Sequence, residues 1–342
     1  MALVCRVSAD PASRSLRCQP VERRALGRDE VRVLVMFTSV NPIDVKRAAG
    51  YGRRVLSLLG AGGEELVLGN DFAGVVTEVG GDVPHVAVGD RVWGLVPTGP
   101  QGAHRSEVCV ASRWVRPLPA GFPMASVAVL PYTFTTLWRS MKAVGLHEGQ
   151  AAGCHVLVNG GGGALGQLAI QLLTRWGASV TAVCGAASSA RCVSLGAKQV
   201  IDRHATRLSS LPSNCDATLN FGAWADEADV IGRLRPTALG HATTVHPLLG
   251  ETDARGWLVG GLACWRAWRA MRARLSEVAP RARYAWTVFK PDEAAMDALQ
   301  ACLLSQPLVL EVAHRASFAH AESAFAHVAS GQPTRAVLTA EI

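Results

Sequence analysis

One stretch limits the folds open to this chain more than any other: Cys154-His155-Val156-Leu157-Val158-Asn159-Gly160-Gly161-Gly162-Gly163-Ala164-Leu165-Gly166-Gln167-Leu168-Ala169-Ile170. Residues 156–158 read as a short buried parallel strand. The glycines follow at once, and then Leu165, Leu168, Ala169, Leu172 and Leu173 recur at helical spacing. The order is strand, tight turn, helix. Gly161, Gly163 and Gly166 fit the spacing G-x-G-x-x-G, with Gly162, Ala164 and Leu165 completing the loop. In that motif the first two glycines let the backbone turn and admit a pyrophosphate, and the third lets the helix pack on its strand. The N–H groups that open such a helix, with its dipole, hold phosphates. Four glycines in a row also suit a flexible loop, and the motif alone is weak. A second apolar strand, 179–184, follows at the expected distance, and that context favours a dinucleotide site.

Beyond the loop, strand-like runs at 199–201, 217–220 and 242–245 alternate with helical stretches, the pattern of a doubly wound parallel sheet. Helical periodicity also appears at 125–130 and 135–144. Ahead of about Gly121 the texture differs. Runs at 1–7, 30–38 and 74–79 read as strands, the last ending in the hairpin signal Gly80-Gly81-Asp82. Many short strands with glycine turns imply a small barrel-like β domain. The tail reads as two helices, 291–304 and 318–328, and a closing strand, 335–339.

The 342 residues suffice for two domains, and 49% hydrophobic residues supply ample core. No apolar run reaches membrane-spanning length. The first residues already read as a strand, so no cleavable leader or transit peptide is evident. Nine cysteines without a C-x-x-C pair argue for reduced thiols and a cytoplasmic protein. The net charge of +7 suits an anionic ligand. Neither a basic tail nor a nucleic-acid motif is present, so no nucleic-acid partner is expected.

The end of the strand at 179–184 bears on which nicotinamide is bound. NAD-binding chains place a carboxylate there for the ribose hydroxyls. Here the residues are Val183-Cys184-Gly185-Ala186-Ala187-Ser188-Ser189-Ala190-Arg191, with no carboxylate. A 2′-phosphate meets no repulsion near Cys184, and Ser188, Ser189 and Arg191 can donate to it. The serines also suit a helix cap, and Arg191 a solvated position. The missing acid favours NADPH.

Asn41-Pro42-Ile43-Asp44, Gly69-Asn70-Asp71-Phe72-Ala73-Gly74-Val75-Val76, Gly89-Asp90-Arg91-Val92-Trp93-Gly94, Leu130-Pro131-Tyr132 and the glycine loop follow one another in order. In this the chain resembles the medium-chain dehydrogenase/reductase superfamily, and within it the zinc-free quinone oxidoreductase group. The nearest branch is that of the mitochondrial reticulon-interacting proteins, to which Asn41 to Val45 and Gly50-Tyr51-Gly52 are similar. The resemblance implies a GroES-like catalytic domain, 1–124 with 284–342, around a Rossmann domain, 125–283. It leaves a mitochondrial location open. It also implies that Thr136 and Asn220 lie near the nicotinamide or its diphosphate, and Val245 beside the cofactor. Zinc members carry a Cys, a His-Glu pair and a four-cysteine lobe. Here those positions hold Asn41 and Asn70-Asp71, and the lobe is absent, so no metal is expected.

The implied activity is NADPH-dependent hydride transfer to a quinone or related α,β-unsaturated carbonyl. Tyr51 is the candidate donor to the substrate oxygen, and Asn41 a group that orients substrate or nicotinamide. The substrate pocket is expected from loops at 52–66 and 246–262. Rival readings are enoyl or alkenal reduction in secondary metabolism and a non-catalytic NADPH-binding sensor or scaffold. Residues 264–275 place Trp265, Trp268, Met271 and Leu275 at helical steps beside four arginines. Such a helix suits an anionic membrane surface, or packing against the rest of the protein or a second copy in a homodimer.

Overall fold

The computed structural model describes residues 1–340. Six strands, His155–Asn159, Ser179–Cys184, Gln199–Asp202, Ala217–Asn220, Gly240–Thr243 and Arg283–Trp286, form one parallel sheet. Numbered along the chain, they lie in the spatial order 3-2-1-4-5-6. This is the doubly wound order of dinucleotide-binding folds. Its ligand crevice lies at the carboxyl ends of the strands, where the order reverses, here between His155–Asn159 and Ala217–Asn220. The apolar runs explain the pairing: Leu157, Val183, Ile201, Leu208 and Val230 bury together beside the sheet, each contributing roughly 1.5–3 kcal/mol.

The sixth strand is absent from the sequence reading. Arg283-Tyr284-Ala285-Trp286 has no apolar run, and it lies at the sheet edge, paired on one side only. The helix before it, Leu248–Val278, also starts earlier than expected. It is interrupted only at Gly256, whose φ of 76° is left-handed. Residues 246–262 are therefore mostly helix, not a loop. The stretch 52–66 likewise holds the short helix Arg53–Ser57 and part of the strand Glu65–Val67.

The chain forms two compact units: 133–251 with 255–289, which holds the parallel sheet, and 1–132 with 252–254 and 290–342. In the second of these, Glu30–Val40 is the central strand. It pairs antiparallel with Asp71–Val79 on one edge. On the other edge Glu107–Ala111 meets its beginning and Arg335–Thr339 its end. Its alternation puts Val31, Val33 and Val35 into one core with Phe72, Val76, Val92 and Val115. A second core joins both ends of the chain, with Leu3, Val40 and Leu68 packed on Phe318, Phe325 and Leu338. The strand Val312–Ser317, also missed in the sequence, runs parallel to Arg335–Thr339. It is half exposed and carries His314 and Arg315, which hide its period. Among the described residues no helix is long and apolar enough to cross a membrane.

Candidate functional site

The glycine loop leaves the first strand of the parallel sheet at Asn159 and enters the helix Ala164–Arg175 with Gly163 at the cap position. Gly166 packs closely as expected, but the turn falls one residue before the motif. The turn is made by Gly160, at φ 86°. A Cβ on Gly160 would meet Gly222 N at 2.8 Å. One on Gly166 would meet Gly160 O at 2.3 Å, so the helix packs directly on the loop. One on Gly161 would meet Ala182 Cβ at 2.9 Å, and one on Gly162 would meet Ser188 Oγ at 2.5 Å. Gly163 is the exception. It is exposed, its φ is an ordinary −77°, and a Cβ there meets only Gly160 O at 3.5 Å. The protein has no packing use for a bare Cα at Gly163. The N–H groups of Ala164 and Leu165 open the helix beside it and have no partner within the helix.

The same end of the sheet gathers Cys184, Ser188 and Ser189. Cys184 is buried at its strand end, with Cys192 Sγ at 3.8 Å and Ser189 Oγ at 3.9 Å. The next helix, Ala186–Ser194, is capped by Gly185. Ser188 and Ser189 lie inside its first turn, so neither is the cap. Arg191, one turn on, keeps its Nη2 buried without a hydrogen-bond partner. Two residues were missed in the sequence. Arg203 donates its backbone N–H to Cys184 O, and His204 Nε2 stands 4.0 Å from a Cβ built on Gly185. They follow the third strand, and only the strand order brings them here.

Asn220, expected near the nicotinamide or its diphosphate, ends its strand beside Asn159, and its polar atoms are engaged within the protein. It is fully buried, and its amide donates to Glu227 Oε2 at 2.8 Å and Ala223 O at 2.9 Å. Its Oδ1 accepts from Asn159 and Gly222 N. It positions the loop from behind. Glu227 continues the network, facing His241 Nε2 at 3.0 Å and accepting from Tyr284 Oη at 3.0 Å. Burial pushes this carboxyl up. His241 and the hydrogen bonds from Asn220 and Tyr284 outweigh it, and the pKa falls below its ordinary value. Thr136 is buried in the helix Pro131–Ala143, and the Val245 N–H donates to Thr243 Oγ1.

In the other unit, Asn41 opens the helix Pro42–Ala48, and Asp44 accepts from the N–H groups of Asn41 and Gly69. Asn41 is fully buried. Its Nδ2 donates to Ser39 Oγ and Asp71 Oδ2, both at 2.9 Å, and its Oδ1 accepts from Arg335. An enclosed side chain with every polar atom engaged cannot orient a substrate, so the expected role of Asn41 gives way to a structural one. Asp71 accepts from Ser39, Asn41 and the Tyr132 N–H. Burial still drives its pKa up to about 6, against those bonds and the charge of Arg335. Tyr51 is half buried three residues beyond this helix, with Lys46 Nζ 5.4 Å from its ring centroid. Burial, and then the charge of Asp253, raise its phenol pKa. Nearby, Gly50, Arg53, Arg54, Ser57, Gly62 and Asp253 line a polar cleft of about 450 Å³. Among the described residues no three His, Cys, Asp or Glu side chains gather in a way that could hold a metal ion.

A chain with a parallel doubly wound sheet in one unit and antiparallel strands from both chain ends in the other has the make-up of the two-unit nucleotide-dependent reductases. Residues 27–122 match the alcohol dehydrogenase GroES-like domain. The zebrafish protein NAD(P)H oxidoreductase RTN4IP1, mitochondrial, is 30% identical over 319 residues, 89% of this chain and 81% of the relative. Its human counterpart is 40% identical over 183 residues, so there the match spans 51% of this chain and about half, 46%, of the relative. The quinone oxidoreductase from Coxiella burnetii shares the fold, with a TM-score of 0.80 at 20% identity, covering 99% of each chain. The chain belongs to the medium-chain dehydrogenase/reductase superfamily and, within it, to the RTN4IP1 family of NAD(P)H oxidoreductases.

Proposed function

We propose that this protein is a zinc-independent NADPH oxidoreductase that passes hydride to a quinone or a related α,β-unsaturated carbonyl. The observation that carries the reading is Gly163: an exposed, unstrained glycine at a helix N-terminus, where a side chain would strike a ligand and not the protein. The names of the relatives, which are NAD(P)H oxidoreductases, support it. When bound, the nicotinamide supplies the hydride. The N–H groups of Ala164 and Leu165 would hold the diphosphate. Ser188, Ser189 and the Arg191 Nη2 that lacks a partner suit the 2′-phosphate, with Arg203 and His204 at the same sheet end. As the substrate oxygen gains negative charge, Tyr51 holds the proton it can donate. Asn41 and Asp71, at positions where zinc relatives carry metal ligands, hydrogen-bond to one another instead, and Asn41 also accepts from Arg335.

The test is a fluorescence titration with NADPH and NADH, followed by an assay of quinone-dependent NADPH oxidation. Gly163→Val should abolish NADPH binding and leave the melting temperature unchanged. NADPH should bind about tenfold or more tightly than NADH, since one charge-assisted hydrogen bond contributes roughly 1.5–3 kcal/mol. Arg191→Ala should narrow that gap. Undiminished binding by Gly163→Val, or equal affinity for the two nucleotides, would overturn the reading.

A further inference from the structure

We propose that the helical segment 257–274 docks on an anionic lipid surface. After the break at Gly256, Leu258, Leu262, Trp265, Arg269 and Arg272 recur at steps of four and three and share one face. The opposite side is the one that packs, with Gly260, Cys264 and Leu275 buried. The outer face and its flanks are uncovered: Leu258 is 89% exposed, Val259 58%, Trp265 51%, Trp257 49%, Leu262 46% and Trp268 39%. Six large apolar side chains on three turns of one helix are more than scattered surface exposure, and such a patch marks an interaction site.

Charge identifies the occupant. Between Asp253 and Glu277 the sequence has five arginines, Arg255, Arg266, Arg269, Arg272 and Arg274, and no acid. Arg255 and Arg274 pair with Glu251 and Glu277 at the segment's borders. Arg266 and Arg269 have no acidic partner among the described residues, and the Arg269 guanidinium lies 4.9 Å from the Trp265 ring centroid. A second copy fits poorly. A two-fold interface sets the same patch against itself, so arginine would face arginine with no carboxylate between. An anionic bilayer meets both demands: its headgroups neutralise the arginines, and the acyl boundary takes up tryptophan and leucine. The apolar residues occupy the first half of the segment and most of the arginines the second. The helix therefore presents an apolar ridge and a basic ridge to the same plane.

The experiment is flotation of the full chain with vesicles of phosphatidylglycerol and phosphatidylcholine in equal parts, and with phosphatidylcholine alone. Binding is expected to the anionic vesicles at low salt, with loss as salt rises. Arg266→Glu/Arg269→Glu should bind roughly 30-fold more weakly or worse, from about a factor of five for each basic residue near the surface. Leu258→Ser/Leu262→Ser should weaken binding while leaving its salt dependence in place. All these positions are exposed, and unchanged melting temperatures will show that the variants fold. No binding to anionic vesicles at low salt overturns the proposal. So does equal binding by the charge-reversed variant. A concentration-dependent dimer that Trp265→Ser dissolves would assign the face to a second copy and also overturn it. None of these readouts depends on the nucleotide or substrate, so the proposal and the NADPH reading fail separately.

Discussion

Asp71 and Glu227 are both enclosed carboxylates at the heart of a polar cluster, one in each unit, and they titrate in opposite directions. Each accepts hydrogen bonds from two or three neighbours. The difference is the partner each one faces. His241 Nε2 faces Glu227 directly at 3.0 Å. Arg335 donates from Nη2 to Asn41, and its charge acts on Asp71 through the field. At Asp71 the hydrogen bonds and that field do not offset burial; at Glu227 His241, Asn220 and Tyr284 together do. Neither group is open to a bound substrate. Both act as frames: Glu227 fixes Asn220 and, through it, Asn159 beside the glycine loop, and Asp71 ties together Ser39, Asn41 and Tyr132.

The largest effect is expected at Glu227. Glu227→Ala leaves His241, Asn220 and Tyr284 facing an empty acceptor site, and each buried polar group left unsatisfied costs about 1–3 kcal/mol. Chemical denaturation measures it, and NADPH affinity should fall with it, because Asn220 and Asn159 lose their brace. A cost under about 1 kcal/mol would mean that Glu227 is not the hub of its cluster.

The next effect separates the two carboxyls by pH. The folded pKa of Asp71 is raised, from 3.8 to about 6. The stability it contributes is present in full below its unfolded value and is lost as pH rises through about 6. Asp71→Asn removes that titration. Relative to the unaltered chain, the variant should gain about 2–3 kcal/mol between pH 4 and pH 7, since each tenfold change in a proton-binding constant is worth about 1.4 kcal/mol. Comparing the two proteins at each pH cancels any fixed cost of the substitution. Glu227 has the opposite sign: its pKa is lowered, so its contribution is lost as pH falls. A parallel pair of stability curves for Asp71→Asn and the unaltered chain would break the contrast.

The contrast also shows what the sequence could reveal. The glycine loop was legible because its neighbours are local: strand, turn and helix lie within some twenty residues, and each element has its own period. The parallel sheet followed from repeated apolar runs. The Asp71 and Glu227 clusters were not legible, because they join Asn41 to Arg335 and Asn220 to Tyr284 across long stretches of chain. Asn41 and Asn220 looked like ligand contacts because they close loops rich in function. Nothing in sequence tells an asparagine that faces a ligand from one that holds a carboxylate. Arg203 and His204 were missed for a related reason: only the pairing of the third strand with the second brings them to Cys184 and Gly185.

The smallest effect belongs to Tyr51. With Asp71 and Glu227 enclosed, neither can hand a proton to a substrate, and half-buried Tyr51 is the candidate donor in its unit. Burial and Asp253 raise its pKa, so the hydroxyl stays protonated at neutral pH and can serve as an acid, not as a base. Lys46 Nζ lies 5.4 Å from the ring centroid. Water can also supply the proton once hydride has arrived. Tyr51→Phe should therefore lower quinone-dependent turnover by less than the roughly 10²–10⁴ of an essential general acid, and leave NADPH affinity unchanged. An unaltered rate would leave the phenol no part in the reaction. The companion measurement is the pH–rate profile of Asp71→Asn. If Asp71 is only a frame, the profile keeps its shape. A break near pH 6 that disappears in Asp71→Asn would put that carboxyl into the chemistry and remove the distinction between framing and donating groups on which Tyr51 was chosen.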